Sequence, residues 1–556
     1  MKKIIRTLAL ISALAMLLPA GCSQNSETKS SGGSGRGSTS SQAQGDSSGG
    51  KETQELPQSI TYPFESEEPV TLTYWKPVNA AILKYVRGMD ENKAIIEAQK
   101  RTGINITFIH PAAGQEKEQF NVLVASGEYP DIIAGPGNGS FYYPGGLFKA
   151  MDDGVMQDLT DQLPVYAPDY WKVVQENDLL KKEISDKNGR IAGFYKVKIE
   201  PDPPHRKINI RTDVLEACGF TDVPQYLEDY DLLFSKLIEQ GITPWSPDKT
   251  GLEPMFMGMY GLGMYDINES FMKDENGKVS YMFTRPEYRE YLEKMAEWYA
   301  KGYISKDFVT ATNQENQSLF DTKKLGIIID AANATYGRAD QQGFEVTNCP
   351  YPRLAEGEKN HAAQSPTMVQ SKNETGISTK CANLEAALAF CNYFYTEEGA
   401  KLANWGVEGE SYTVENGESQ YLDVVIDNPD MDITASSNIY RLHDFPKLSE
   451  RDVDCYPPVI KDSGALEYRM RWSDDPNVDS LYTLPSLQLE PDELDERTKI
   501  MKDIDTYTAE MRLKFITGVE PLDNFDAYVQ IVNGMNIDRA VEITQQAYDQ
   551  FVEKEV

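Results

Sequence analysis

The sequence predicts an α/β protein of two lobes, each a doubly wound sheet flanked by helices, with a hinge between them. Three observations carry that prediction. At 556 residues the chain is too long for one ordinary hydrophobic core. From Val70 onward, β-rich segments alternate with helical ones over short connections, the order that builds a parallel sheet. Finally, Asp131-Ile132-Ile133-Ala134 is a short apolar run of the kind buried on both faces. Gly127 closes the helix before it, Pro130 forbids a helical restart, and Gly135-Pro136-Gly137-Asn138-Gly139 follows as a loop. Open α/β sheets place ligands at such strand ends.

The first segment is not part of either lobe. Lys2, Lys3 and Arg6 precede an apolar stretch from Leu8 to Leu18, of signal-peptide length and too short to span a bilayer. Leu18-Pro19-Ala20-Gly21-Cys22 resembles a bacterial lipobox, which implies cleavage after residue 21 and acylation of Cys22. Two or more acyl chains anchor a protein stably. Residues 22–67 then form a Ser/Gly/Gln-rich tether with too little apolar surface to order itself.

Val70-Thr71-Leu72-Thr73-Tyr74-Trp75 alternates as a first strand, and a helix over 91–101 closes at Thr102-Gly103. Ile104–Ile109 is a second strand, Glu116–Ser126 a helix, and Ile132-Ile133 a third strand. Trp75, at the carboxyl end of the first strand, is expected to face the same crevice as the glycine loop. Gly154–Leu159 and Ile191–Val197 read as further strands, as does Lys207–Arg211, with a helix from Asp213 to Cys218-Gly219. Asp274–Lys278 is a hairpin turn with too few ligands for an EF-hand. A long helix runs from Arg285 to Lys301 behind Pro286, its aromatics at packing spacings. Lys324–Asp330 is a buried strand.

Several of these stretches also resemble a known family. Ser126-Gly127-Glu128-Tyr129-Pro130-Asp131-Ile132 closing an early helix is similar to family 1 extracellular solute-binding proteins, the receptors of carbohydrate ABC importers. Tyr395-Thr396-Glu397-Glu398-Gly399, read as a helix stop, and Gly406-Val407-Glu408-Gly409-Glu410-Ser411-Tyr412 match the long lipoprotein branch that includes oligosaccharide, aldouronate and alginate receptors. Phe515-Ile516-Thr517-Gly518 and Asn524–Val529 match the end of that branch. The likeness runs from about residue 70 to the end. It implies a periplasmic-binding-protein-like fold: lobe one from 68–200 with 370–405, lobe two from 206–365 with 406–556, including a C-terminal helical extension. It also implies a helix over Asp222–Gln240. Part of the family has a calcium loop next, but Glu239–Asp248 lacks the oxygen-ligand spacing for one, so no metal is expected there, and no cofactor.

The net charge of −33 argues against a nucleic-acid partner and against polybasic membrane docking. Apart from Cys22, the cysteines Cys218, Cys349, Cys381, Cys391 and Cys455 show no CxxC spacing and read as buried small residues. No HExxH or P-loop occurs, GxSxG is present no more than by chance, and the histidines (His110, His205, His361, His443) lack ligand spacing, so no catalytic residue is assigned.

A sugar receptor needs aromatic faces for the pyranose and planar polar groups for its hydroxyls. The ligand-binding candidates beside strand-end or glycine-rich loops are Trp75, Tyr142, Tyr143, Trp245, Tyr260, Trp405, Glu408 and Tyr412, with Trp472 a further aromatic. Each Trp reads equally as core, and Glu408 either accepts a hydroxyl or is simply solvated. Met255–Tyr265 is either an adaptable wall or packed structure. For an anionic ligand, Arg211, Arg338 or Lys76 could serve. The expected function is oligosaccharide capture by hinge closure and delivery to an ABC permease, by a monomer anchored through Cys22 on the outer face of a Gram-positive-type cytoplasmic membrane. A peptide receptor or sensor on the same fold, or a surface glycan hydrolase, are the alternatives.

Overall fold

The computed structural model describes residues 59–554, apart from 79–81, 136–140, 201–203, 370–373, 432, 452–454 and 456–463. In chain order the main strands are β1 Val70–Trp75, β2 Ile104–Ile109, β3 Ile132–Ala134, β4 Val197–Lys198 and β5 Arg206–Arg211. They continue as β6 Phe271–Lys273, β7 Val279–Tyr281, β8 Ile327–Ala331, β9 Val346–Cys349 and β10 Thr375–Ile377.

Lobe one grows outward from β1, which pairs in parallel with β2 on one side and β3 on the other. Helices α1 (Lys93–Thr102) and α2 (Glu116–Ser126) make the crossovers. Asn92 caps α1 by accepting from the Ile95 amide at 3.1 Å, and Gly103 ends it at φ 71°, a backbone state that favours glycine. Gly127 ends α2 in the same way, at φ 69°. Asp131 does not face a ligand: its carboxylate accepts from both the amide and the hydroxyl of Thr73, each at 2.7 Å, and so pins β3 to β1. The returning strand β10 lies antiparallel beside β3.

The sheet of lobe two is mixed. Its middle strand, β5, is antiparallel to both β8 and β9, which run the same way and are joined by the helix Ala332–Gln342. Beyond β8 the sheet continues through parallel bridges, Thr243 with Leu325 and Trp245 with Ile304. The reason lies in the connection. β5 enters directly from lobe one, so its first residue, Arg206, pairs with Ala331 at the carboxyl end of β8. The strand must therefore run away from the end at which it arrived.

Other boundaries move. Gly154–Leu159 and the run from Ile191 are held by single bridges, Met156 with Ser378 and Phe194 with Thr375, and the regular strand is only Val197–Lys198. The helix expected over 222–240 starts at Leu227. Tyr395-Thr396 follows the end of the helix Leu384–Tyr393, whose last carbonyl accepts from the Thr396 hydroxyl at 2.7 Å, and Thr396 also caps the next helix, Glu397–Trp405, by accepting from Gly399 at 3.0 Å. Gly399 is required there because a Cβ would lie 1.8 Å from the Tyr393 carbonyl oxygen.

Residues 406–449, expected in lobe two, pack on lobe one. Asn92 donates to the carbonyls of Asn438 and Arg441, Leu448 pairs with Val197, and Leu442 and Phe445 join the core of Tyr74 and Phe108. The chain is back on lobe two by the helix Ala465–Met470, whose Tyr468 packs at a tilt against Tyr336. A change of lobe costs only a few residues of extended chain, which leaves no compositional mark. The helix Pro491–Thr517 then reaches from Leu494, beside Gly146, to Arg512, which donates to Tyr288 of lobe two.

Candidate functional site

The aromatic candidates fall into three separate places. Trp75 is 3% exposed, its ring set edge-on against Phe120 and Tyr142 at 5.8 and 5.4 Å. Tyr142 is half-buried on the same cluster, and burial pushes its phenol up to about 12. Tyr143 donates to Asp153 at 2.8 Å. Trp245 is buried against Phe256 and Trp298, in the heart of lobe two, with Tyr260 edge-on to Tyr291 nearby. Trp405 and Tyr412 are buried with Tyr421 in a small satellite cluster, and the Trp405 indole donates to Glu450 at 2.9 Å. A ring enclosed on both faces cannot stack on a sugar, so Trp75, Trp245, Trp405 and Tyr412 are packing residues in this conformation. Glu408 is exposed on the turn that follows Trp405. Trp472 is exposed and donates to the Asn348 carbonyl at 3.1 Å. Met255, Met257, Met259 and Met264 are buried core, not an adaptable wall. Cys22 lies outside the described residues.

What the fold does gather is polar, and it lies at the carboxyl end of β1. This is the middle strand of a sheet that winds outward in both directions, where the chain leaves a natural crevice. Lys76 follows Trp75, is buried, and donates to the Asp444 carbonyl at 2.5 Å while lying 5.2 Å from the Phe445 ring centre. Burial holds its ammonium down at about 8, with Asp444 working the other way. His110, at the end of β2, accepts from the Met89 amide through Nε2, leaving Nδ1 to donate to the Lys76 carbonyl at 2.8 Å. His443 and Asp444 pair at 2.8 Å, with side chains 41% and 45% exposed. Burial works against the Asp444 carboxylate, but the His443 hydrogen bond and the charges of His443, Lys76 and Lys196 hold it well below the usual range. For His443, the Asp444 hydrogen bond raises the pKa, yet burial, Lys196 and Arg441 together bring it below its ordinary value.

Lobe two presents a smaller counterpart at the matching strand ends. Arg206, where β5 begins, donates to the Ile329 carbonyl at 3.0 Å. Glu253, just before the helix Pro254–Gly258, is pushed up to about 7 by burial, and Arg206 offsets this only in part. Tyr351, buried just past β9, feels both charges.

Of the three cations singled out from sequence, two are committed elsewhere. Arg211 makes a two-pronged pair with Asp213 at 3.0 Å per bond and stacks on Phe344. Arg338 pairs with Asp321 and Asp330. Lys76 alone stands at the carboxyl end of β1. The residues that join it were passed over, although Tyr195-Lys196-Val197-Lys198 offered a signal: charges interrupting an apolar run where a strand should end.

A separate cavity of about 880 Å³ lies beside the crossings between the lobes, lined by residues including Phe148, Glu269, Phe271, Thr367, Glu374 and Arg497. None of the eight candidates lines it, nor do Lys76 or His443. Its lining draws on both lobes, Gly146 and Phe148 from one and Glu269 and Phe271 from the other. Among the described residues, no cluster of three or more His, Cys, Asp or Glu could hold a metal ion.

Comparison with known proteins follows the geometry. The family profile described as "Bacterial extracellular solute-binding protein" matches residues 89–401, more than half of the chain. Lipoprotein LipO of Bacillus subtilis (strain 168) is 23% identical over 362 residues, covering 61% of this chain and 68% of its own length. The polygalacturonan/rhamnogalacturonan-binding protein YtcQ of the same organism is 25% identical over 343 residues, 58% of this chain. The match spans 64% of YtcQ, a little under two thirds of its length. Among solved structures, the alginate-binding protein AlgQ2 without calcium ion superposes with a TM-score of 0.66 at 20% identity, over 87% of this chain and 99% of its own. An HMO-binding, ABC-transporter-associated solute-binding protein from Bifidobacterium longum infantis gives 0.71 at 16% identity, over 87% and 99%. S. pneumoniae FusA in complex with kestose gives 0.70 at 17% identity, over 87% and 100%. These identities speak for a shared two-lobed fold.

Proposed function

The chain belongs to the bacterial extracellular solute-binding proteins, and from that premise we propose that it captures an oligosaccharide between its lobes and delivers it to an ABC permease. The observation that carries this reading is the polar cluster at the end of β1, where Lys76, His443 and Asp444 meet. In lobe two, Arg206 begins β5 and Glu253 precedes the helix Pro254–Gly258, and their charges interact. Closure about the crossings is favoured only by a ligand that touches both lobes. The polysaccharide named for YtcQ and the glycans named for the structural neighbours agree with a sugar. Tyr142 and Tyr143, half-buried beside the glycine loop, remain the aromatic surfaces best placed to contact it.

The protein acts as a receptor and not as an enzyme. It works as a lipoprotein on the outer face of the membrane, held by acylated Cys22 through the tether. Membership of an extracellular family supports that location, and among the described residues no helix is long and apolar enough to cross a membrane. Replacing Cys22 with Ala should move the protein from the membrane fraction to the medium; retention in the membrane would contradict the anchor.

A thermal-shift panel of plant and host oligosaccharides, peptides and free amino acids tests the central reading. A rise in Tm with one glycan class is expected. A shift with peptides alone would replace the reading by a peptide receptor, and release of reducing ends by the purified protein would replace it by a hydrolase.

A further inference from the structure

Of the six tryptophans, Trp75, Trp245, Trp298 and Trp405 are buried and Trp171 is half-buried, whereas Trp472 is 38% exposed. Its backbone is as unusual as its exposure. Among the described residues, four other than glycine stand in the left-handed region: Lys323, Asn416, Asn536 and Trp472, the last at φ 66°. Asn416 turns the hairpin between Tyr412–Glu415 and Glu418–Tyr421, and Asn536 precedes the helix Ile537–Glu553. Asparagine visits that state readily at such places. For a side chain as bulky as tryptophan it is a strained conformation.

Strain persists only where the surroundings over-determine it, and here they do. The Trp472 indole donates to the Asn348 carbonyl at 3.1 Å. The carbonyl of Arg471 accepts from the buried Lys207 ammonium at 2.9 Å, and its guanidinium donates to the Thr347 hydroxyl at 3.0 Å. One turn earlier, the Tyr468 carbonyl accepts from Asn348 and its hydroxyl donates to Asn209, each at 2.8 Å. Side chains and backbone of β5 and β9 thus fasten residues 468–472 to the sheet of lobe two. Lys207 is the second residue of β5, so the fastening lies near the end at which the chain enters from lobe one. None of this requires a ring at 472. A glycine would take the same φ without strain, and a ring face left in water gains nothing from burial. A tryptophan held in a costly conformation with its face exposed is accounted for by what stacks on that face. Arg471 beside it is exposed and offers planar donors, which suits a ring that carries hydroxyls.

We propose, granting the oligosaccharide-receptor reading above, that Trp472 is the platform of lobe two on which a sugar ring stacks, and that its strained backbone serves binding and not stability. Trp472 is then the lobe-two counterpart of Tyr142 and Tyr143 in lobe one, and a glycan that touches both faces favours closure.

The test pairs affinity with stability. The full chain, extracted in detergent, is titrated by calorimetry with the plant and host oligosaccharide panel, with kestose, alginate oligomers and polygalacturonan oligomers among its members. Each variant is also melted without ligand. Trp472→Gly should lower affinity about tenfold or more, because the stacking face is gone. It should melt at the wild-type temperature or above, because glycine relieves the strain. Trp472→Phe should keep more of the affinity than Trp472→Gly. A saturating glycan should shield wild-type tryptophan fluorescence from acrylamide, and that shielding should vanish in Trp472→Phe. Wild-type affinity in folded Trp472→Gly, or shielding that survives in Trp472→Phe, overturns the inference but leaves the receptor reading standing. A lower melting temperature for Trp472→Gly overturns the claim that the strain serves binding and not stability. Absence of binding to every glycan by the wild type overturns the receptor reading and the inference with it. Should Trp472→Gly fail to fold, that claim falls, and Trp472→Phe with the quenching measurement still decides whether the ring meets the sugar.

Discussion

Trp75 in lobe one and Trp245 in lobe two occupy corresponding places. Each ends an extended segment paired in parallel with its sheet, each is almost wholly buried, and each is followed by a polar residue, Lys76 or Ser246. What differs is the surroundings. Trp245 is enclosed by Phe256 and Trp298 in the largest core, and the hydroxyl of Ser246 beside it is buried with no hydrogen-bond partner. Trp75 belongs to a smaller cluster, and the buried lysine after it donates to the Asp444 carbonyl among other charged groups. The tryptophans are plugs that seal each core beneath the interlobe face. Immediately beyond them stand polar residues, and lobe one gathers more charged ones there, Lys76 with His443 and Asp444.

The sharpest way to break this comparison is to remove the plugs. Trp245→Ala should cost about 3–5 kcal/mol of stability by urea denaturation, and Trp75→Ala a similar or smaller amount. The fraction that stays folded should bind ligand with little change. A stable Trp75→Ala protein with lost affinity would return that ring to the binding surface.

Protonation separates the lobes by sign. Lys76 titrates near 10.5 when unfolded and at about 8 when folded, so between those values the unfolded chain holds more protons and stability rises with pH. Glu253 goes from 4.5 unfolded to about 7 folded, so between those values the folded chain holds more protons and stability falls with pH. Relative to Lys76→Met, the wild type should therefore gain up to about 3 kcal/mol from about pH 8 to about pH 10.5. Relative to Glu253→Gln, it should lose up to about 3 kcal/mol from about pH 4.5 to about pH 7. Denaturation at fixed pH reads both slopes, and flat differences would mean that neither group feels its burial.

The smallest effect calibrates the rest. Thr396→Ala in lobe one and Thr312→Ala in lobe two each remove a helix cap, with hydrogen bonds of 3.0 and 3.2 Å to Gly399 and Glu315. Each should cost about 1 kcal/mol and leave binding untouched. Affinity that falls with either one would show that modest destabilisation alone mimics a binding defect.

Much of this architecture was legible in the residues. Gly103 and Gly127 marked helix ends because only a residue without Cβ takes the left-handed state cheaply, and Ile132-Ile133 marked a strand because an apolar run that short must be buried on both faces. The Lys207–Arg211 strand and the Arg285–Lys301 helix were found to within a residue or two. The aromatic site was not legible, because Trp at a strand end has the same local signature whether it faces a sugar or a core.

Local rules thus determined the order and type of elements, the two-lobed class and the family likeness, since capping, periodicity and turn chemistry depend on residues a few positions apart. Only the tertiary structure decided that residues 406–449 rest on lobe one, that β5 runs against its neighbours, and that Lys76, Lys196 and His443 gather around Asp444. Lys76 and His443 are separated by hundreds of residues, and their meeting depends on where a crossing chain comes to rest. No local pattern encodes that, because electrostatic convergence is a property of distance in space and not of spacing along the chain.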